Sequence, residues 1–218
     1  MRLVEVMIRR ALVFLVVLTT GCGDIGAPLR SDLYEYRVTS PGDTTAFTWP
    51  RDSMPIRIWS EDTFDFPMHL ANAMAAWNDV FLYREFQAVP TDDSLTAHVI
   101  LRAGLLPPGG GTTLGRLDEC EGVTDMDLDF DNKTLSLPMH VFVNPRFDPS
   151  LEATRHCFGV AILHELGHVL GMLRHSPRDT DIMFASPEVD ALSNRDRNTA
   201  EVMYHAPSNV VLLPEGSF

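Results

Sequence analysis

The stretch His164-Glu165-Leu166-Gly167-His168-Val169-Leu170-Gly171-Met172-Leu173-Arg174-His175 decides how this chain is read. On a helix, residues four apart lie one above the other on the same face. His164 and His168 can therefore aim ring nitrogens at one zinc ion about 2 Å from each. Glu165 stands beside them without needing to bind the metal. A carboxylate there can take a proton from a water whose pKa the ion lowers to roughly 7, and hand it to the leaving amine of a peptide bond. The same spacing also occurs in ordinary helices that carry two hydrogen-bonded histidines, so the residues after His168 must make the distinction. Gly171 falls one turn after His168, where a residue without a β-carbon can take the left-handed conformation and turn the chain sharply. A third ligand can then return to the same ion, and His175 is the nearest candidate. After a polar run, Asp181-Ile182-Met183-Phe184 supplies a methionine within an apolar setting.

These residues resemble the metzincin metallopeptidases, and within them the matrixin-like branch. That pattern is His-Glu-x-x-His-x-x-Gly-x-x-His followed by a methionine-containing turn. His164, Glu165, His168 and Gly171 match it position for position, and Met183 fits the turn. The third histidine is displaced by one residue. Arg174 occupies the family position, and a guanidinium, which stays protonated, cannot ligate zinc. His175 takes the role if the turn after Gly171 absorbs the additional residue. Its rivals are Asp179, Asp181 and Glu188. The distance of Glu188 from His168 resembles the spacing in thermolysin-like peptidases, although Pro187 and the short Ala185-Ser186 link leave little room for a helical hairpin.

The resemblance implies an α+β metzincin-like catalytic domain: a twisted mixed sheet, a long active-site helix, a methionine turn and a C-terminal helix. It implies a zinc-dependent endopeptidase with His164, His168 and His175 as metal ligands and Glu165 as the catalytic base. Substrate would lie as an added antiparallel strand along an exposed sheet edge. Met183 would form an apolar floor beneath the histidines. Phe184 stands where astacin-like relatives place a tyrosine, so no help from that position is expected. The resemblance spans about Pro55 to Ala206, and its specificity lies in the zinc segment. The displaced histidine also motivates a rival function, a non-catalytic zinc-binding surface lipoprotein whose fourth protein ligand leaves no open position.

At 218 residues and 45% hydrophobic content, the chain suffices for one well-buried domain with extensions. Three arginines up to Arg10, the apolar run Ala11–Leu18 and then Thr19-Thr20-Gly21-Cys22 read as a signal peptide over residues 1–21. The apolar run is shorter than the ~20 residues of a membrane-spanning helix. Thr-Thr-Gly-Cys resembles the bacterial lipobox. It implies a lipid on Cys22 that holds the domain at a membrane surface, with Gly23 resembling an outer-membrane address; plain secretion is the other reading. Residues 22–50 are then a lipidated N-terminus and tether, and residues 51–218 the peptidase domain. Cys120 and Cys157 remain as an even pair in an oxidising compartment, open to a disulfide. A formal net charge of −13 argues against nucleic acid, whose phosphates need basic partners. The expected partners are a protein or peptide substrate and the membrane surface, with the chain itself a monomer.

Along the chain, strands are expected near Leu33–Val38 and over Pro55–Ser60, Arg84–Val89 and Ala97–Ala103, with a helix over Pro67–Phe81. Thr112–Leu117 reads as an edge strand. Asp125, Asp127, Asp129 and Asp131 alternate with Met126, Leu128 and Phe130, which on one strand puts the four carboxylates on one face. A calcium site is one reading of that face, because hard oxygen ligands suit the ion; a solvated strand face is the other. A strand over Thr134–Val143 precedes the zinc helix, expected over Ala153–Leu170. Ser193 or Asn194 caps a last helix running through Tyr204. His69, His98, His140, His156 and His205 lack a ligand-type neighbour at helical or strand spacing and are left unassigned.

Overall fold

Alternation in Ile56-Arg57-Ile58 buries both isoleucines and exposes the arginine, as a strand half-covered by core requires. The computed structural model describes residues 32–40, 43–104, 120–145, 148 and 150–214. Among these, β1 (Val38–Ser40) and β2 (Asp43–Thr45) form an antiparallel ribbon. The central sheet contains β3 (Ile56–Ser60), β4 (Ala88–Pro90), β5 (Val99–Ala103), β6 (Cys120–Asp125) and β9 (Met139–Pro145) in the order β4-β3-β5-β9-β6. Every pairing is parallel except β6 on β9, so the sheet is mixed and β6 is its antiparallel edge. A second sheet, β10-β8-β7, joins β7 (Leu128–Asp129) and β8 (Thr134–Ser136) to the late strand β10 (Val211–Leu213).

Three α-helices occur among the described residues: α1 (Phe66–Asn78), α2 (Glu152–Val169) and α3 (Asn194–His205). In α1, Pro67 sits in the first turn, where its missing N–H costs nothing, and Phe66, Leu70, Ala73, Met74 and Trp77 form the buried face. α1 packs on α2, and α2 packs on β6 and β9. The architecture is thus mixed α+β with a mixed sheet. No helix among the described residues is long and apolar enough to cross a membrane.

Several expectations are corrected by packing. The tether read over residues 22–50 gives way, from Asp32 on, to chain that belongs to the compact domain. Tyr34, Phe47 and Trp49 are all buried in its core, and the expected strand at Leu33–Val38 is displaced to Val38–Ser40. Composition hid this, because a few buried aromatics anchor an otherwise polar segment. The strand expected over Arg84–Val89 is confined to Ala88–Pro90. The acidic run does not form one strand face: β6 ends at Asp125, Asp129 lies in β7, and Asp131 lies in the turn beyond it. There Asp129 accepts the backbone N–H groups of Asp131 and Asn132, which is turn chemistry. The expected strand over Thr134–Val143 is broken into β8 and β9 around the cis Leu137-Pro138 bond. β10 carried no sequence signal beyond three apolar residues. The signal segment, Cys22 and the expected edge strand Thr112–Leu117 lie outside the described residues.

Three aromatic side chains fasten the C-terminal half of α2. Trp77 Nε1 donates to the Leu163 carbonyl at 2.9 Å, Trp49 Nε1 to Val169 at 2.7 Å, and the Tyr204 hydroxyl to Leu170 at 2.8 Å. The last two occupy carbonyls that a helix end leaves unpaired. Gly171 then ends the helix with φ +106°, the positive-φ turn expected from the sequence. A β-carbon at this position would lie 1.7 Å from the Phe47 carbonyl oxygen. Both the backbone conformation and the close approach require glycine. Gly171→Ala is expected to destabilise the fold by on the order of 3 kcal/mol; an unchanged urea midpoint is the contrary result.

Candidate metal centre

From Val160 to Val169, α2 is buried without interruption, including His164, Glu165 and His168. A helix buried all round is ordinarily apolar all round. Polar groups placed there must find partners or cost folding free energy. Each imidazole has one. His164 Nδ1 lies 2.7 Å from the Ile182 carbonyl oxygen, and His168 Nδ1 lies 2.7 Å from that of Met172. A carbonyl can only accept, so both rings carry their proton on Nδ1 and present a lone pair at Nε2. The two Nε2 atoms are 3.0 Å apart. With both protons committed elsewhere, this contact is two lone pairs facing one another, and a cation between them turns repulsion into ligation.

His175 completes the arrangement. Its ring centroid lies 5.3 Å from those of both His164 and His168, which are 4.7 Å from each other. One ligand atom from each of the three falls within 4.8 Å of the other two. His175 Nε2 is itself buried without a hydrogen-bond partner. The three rings are therefore close enough to hold a metal ion. The additional residue relative to the expected spacing is Arg174, which sits at a bend and is exposed to solvent. The chain is drawn back immediately afterwards, as Ser176 N donates to the Met183 carbonyl at 2.7 Å and Ser176 bridges to Phe184.

The rival ligands are placed elsewhere. Asp179 and Glu188 are exposed. Asp181 is buried, but it accepts the Ser176 hydroxyl and lies 3.4 Å from the Arg195 guanidinium. Among the described residues the histidine triad is the one group of three or more histidine, cysteine, aspartate or glutamate ligands close enough to share an ion. The carboxylates suggested for calcium are accordingly not brought together.

Glu165 is 1% exposed and its carboxylate faces β6. Thr124 Oγ1 donates to Glu165 Oε2 at 2.6 Å. Burial pushes the Glu165 carboxyl up to about 8, while the Thr124 hydrogen bond pulls it back down. Burial drives the imidazoles the other way. His164 is lowered to about 4, His168 goes well below its ordinary value, and His175 is lowered as well. All three are thus neutral at pH 7, the form that ligates a cation.

Met183 is fully buried, and its sulfur would lie 2.2 Å from a β-carbon added at Gly167. The glycine of the His-Glu-Leu-Gly-His segment is the space into which the methionine fits. The loop carrying Met183 is held by Asp196, whose only mark in the sequence is its place at a helix start. Asp196 accepts the N–H of Ile182 at 2.9 Å, that of Met183 at 3.4 Å and that of Ser193 at 2.9 Å, and the Tyr34 hydroxyl at 3.1 Å. With Ser193 it forms a capping box on α3. The signal available in sequence was Ser193 with an acidic residue three positions later; its hold on a distant loop was not readable. Cys157 is disulfide-bonded, while the side chain of Cys120 lies outside the described part.

No model of a known protein family matches this sequence, and no curated protein matches it.

Asp196→Ala removes a cap and leaves buried donors unpaired, so a loss of about 3 kcal/mol or more is expected in chemical denaturation. The metal-free chain should also respond to pH in two directions. The unfolded chain binds imidazole protons below about 6.5, while the folded chain resists until about 4 at His164. Stability therefore falls on acidification through that window. Glu165 acts oppositely, since the folded form keeps its proton between 4.5 and about 8; its contribution is lost as pH rises. Three imidazoles outweigh one carboxyl below 6.5, and above it the carboxyl acts alone. Urea midpoints of chelator-treated protein should peak near pH 6.5, with a shallower acid limb in His164→Gln. A flat profile is the opposing outcome.

Proposed function

We propose that this chain is a zinc-dependent endopeptidase of the matrixin-like metzincin type. The observation that carries the reading is the pair of opposed Nε2 lone pairs on His164 and His168, joined by the unpartnered Nε2 of His175. Next to them in sequence stands a buried carboxylate. Three neutral imidazoles suit zinc, and three protein ligands leave the fourth position open, as catalytic sites require. Zinc, when bound, supplies a Lewis acid that polarises a carbonyl oxygen and acidifies water.

The remaining work falls to the chain. Glu165 takes a proton from the water that attacks the scissile carbonyl and returns it to the departing amine. The raised affinity of its carboxyl for a proton suits both halves of that transfer. β6 is the edge of the central sheet among the described residues, and its inner face touches Glu165 through Thr124. An extended peptide that adds to β6 is delivered beside the base. The element order, with a mixed sheet, a long buried helix, a methionine loop and a capped last helix, is similar to the matrixin-like catalytic domain. The non-catalytic alternative needs a fourth protein ligand. Against it stands the triad's having no fourth such side chain among the described residues. We further propose export, with the domain held at the cell envelope through a lipid on Cys22.

Purified protein should cleave an unfolded protein substrate, lose the activity to a chelator and regain it with zinc. Glu165→Gln should still bind one zinc while kcat/KM falls about 100-fold or more. Full activity in Glu165→Gln removes the proposed base, and a metal-loaded wild type that cleaves nothing removes the reading.

A further inference from the structure

β6 faces α2 with two residues of alternate register, Gly122 and Thr124, and both meet the same carboxylate. A β-carbon on Gly122 would lie 2.6 Å from Glu165 Oε1 and 3.0 Å from its Cγ. Glu165 thus occupies the space left by the missing side chain. Two residues on, where the strand's period returns a side chain to the same face, Thr124 Oγ1 donates to Oε2 at 2.6 Å and lies 3.4 Å from the Glu165 backbone oxygen. Thr124 is 1% exposed. Its hydroxyl has little water to exchange with, and a rotation of Glu165 leaves it without its strong acceptor. A hydrogen bond between two buried groups is costly to leave unmade, because neither can turn to water instead.

We propose that Thr124 is a positioning residue for the peptidase reaction. With Gly122 it forms a slot in the edge strand that fixes the orientation of the Glu165 carboxylate. Met183 fills the space beside Gly167, the carbonyls of Ile182 and Met172 orient two of the histidines, and the slot orients the base. The strand that offers its outer edge to a peptide holds the base with its inner face, so a shift of β6 moves both together. This inference rests on the peptidase reading of the site.

The test compares Thr124→Val, Thr124→Ser and Gly122→Ala in the zinc-loaded protein. Thr124→Val keeps the shape and removes the donor. Its kcat should fall roughly ten-fold to a hundred-fold, with KM within about two-fold and one zinc retained; Thr124→Ser should restore most of the loss. Gly122→Ala, which pushes the carboxylate out with the hydroxyl intact, should lower kcat at least as much. A stability cycle of Thr124→Val with Glu165→Ala reads the hydrogen bond without reference to activity, and the two changes should be non-additive. Wild-type kcat in Thr124→Val, a loss expressed in KM or zinc content alone, failure of serine to rescue, or additive stabilities would each overturn the proposal. A zinc-loaded wild type without peptidase activity would overturn the functional reading and the positioning role with it, whereas an active wild type beside an unimpaired Thr124→Val removes the positioning role alone.

Discussion

The geometry of the centre depends on two short hydrogen bonds from imidazole Nδ1 to main-chain carbonyls, at Ile182 and Met172. They choose the tautomer, and the tautomer decides whether the facing Nε2 atoms are a hydrogen bond or a pair of donors for a cation. Neither carbonyl is supplied by the turns of α2 that carry the rings. Met172 comes just after the positive-φ turn at Gly171, and Ile182 lies in the loop held by Asp196. The site is therefore assembled by the chain beyond the helix.

This explains why so much of the core is devoted to the end of one helix. Trp77, Trp49 and Tyr204 come from α1, from the segment before β3, and from α3, and all three donate to carbonyls within the Leu163–Leu170 stretch. A buried aromatic contributes area along with its hydrogen bond. Tyr204 also packs edge-on against Phe81 and Phe86, which links the last helix to the loop after α1. On the loop side, Asp32, Arg195, Asp181 and Ser176 form a run of ion pairs and hydrogen bonds that ends one residue from His175. The buried Arg195–Asp181 pair is better understood as fixing the loop's path than as a source of net stability.

The strongly periodic parts of the fold were legible in the sequence. The isoleucine alternation of β3, the apolar face of α1, the histidine pair of α2 and the Ser193 cap are local patterns, and each element formed within a few residues of its expected limits. The three histidines that come together could be named because ligand chemistry restricts residue type and spacing together. Thr124, Gly122 and Asp196 could not be assigned their roles. A threonine in a strand and a glycine two residues before it are ordinary strand contents, and only the packing of β6 on α2 gives them a common neighbour 41 residues from Thr124. The same holds for Tyr34, whose partner Asp196 is 162 residues away. Alternation misled at Asp125–Asp131 because a two-residue period is also met by short strands separated by turns, which hydrophobicity does not distinguish from one long strand.

Burial acts on the centre in two opposite ways that a single event relieves. It forces the imidazoles neutral, which brings uncharged lone pairs face to face, and it forces Glu165 toward its protonated form, which takes away its charge. A divalent cation among the rings answers both, since it accepts the lone pairs and, as a nearby positive charge, draws the carboxyl back toward ionisation. The imidazoles and the carboxyl are thus coupled through the dielectric of one buried helix segment, without any hydrogen bond between them. A solvent-exposed histidine pair with a water-facing glutamate would hold the same residues at the same spacing, yet each would titrate near its ordinary value and neither would depend on the other. The buried helix, fastened by three aromatic donors and closed by a glycine turn, is what converts a five-residue pattern into a coupled site.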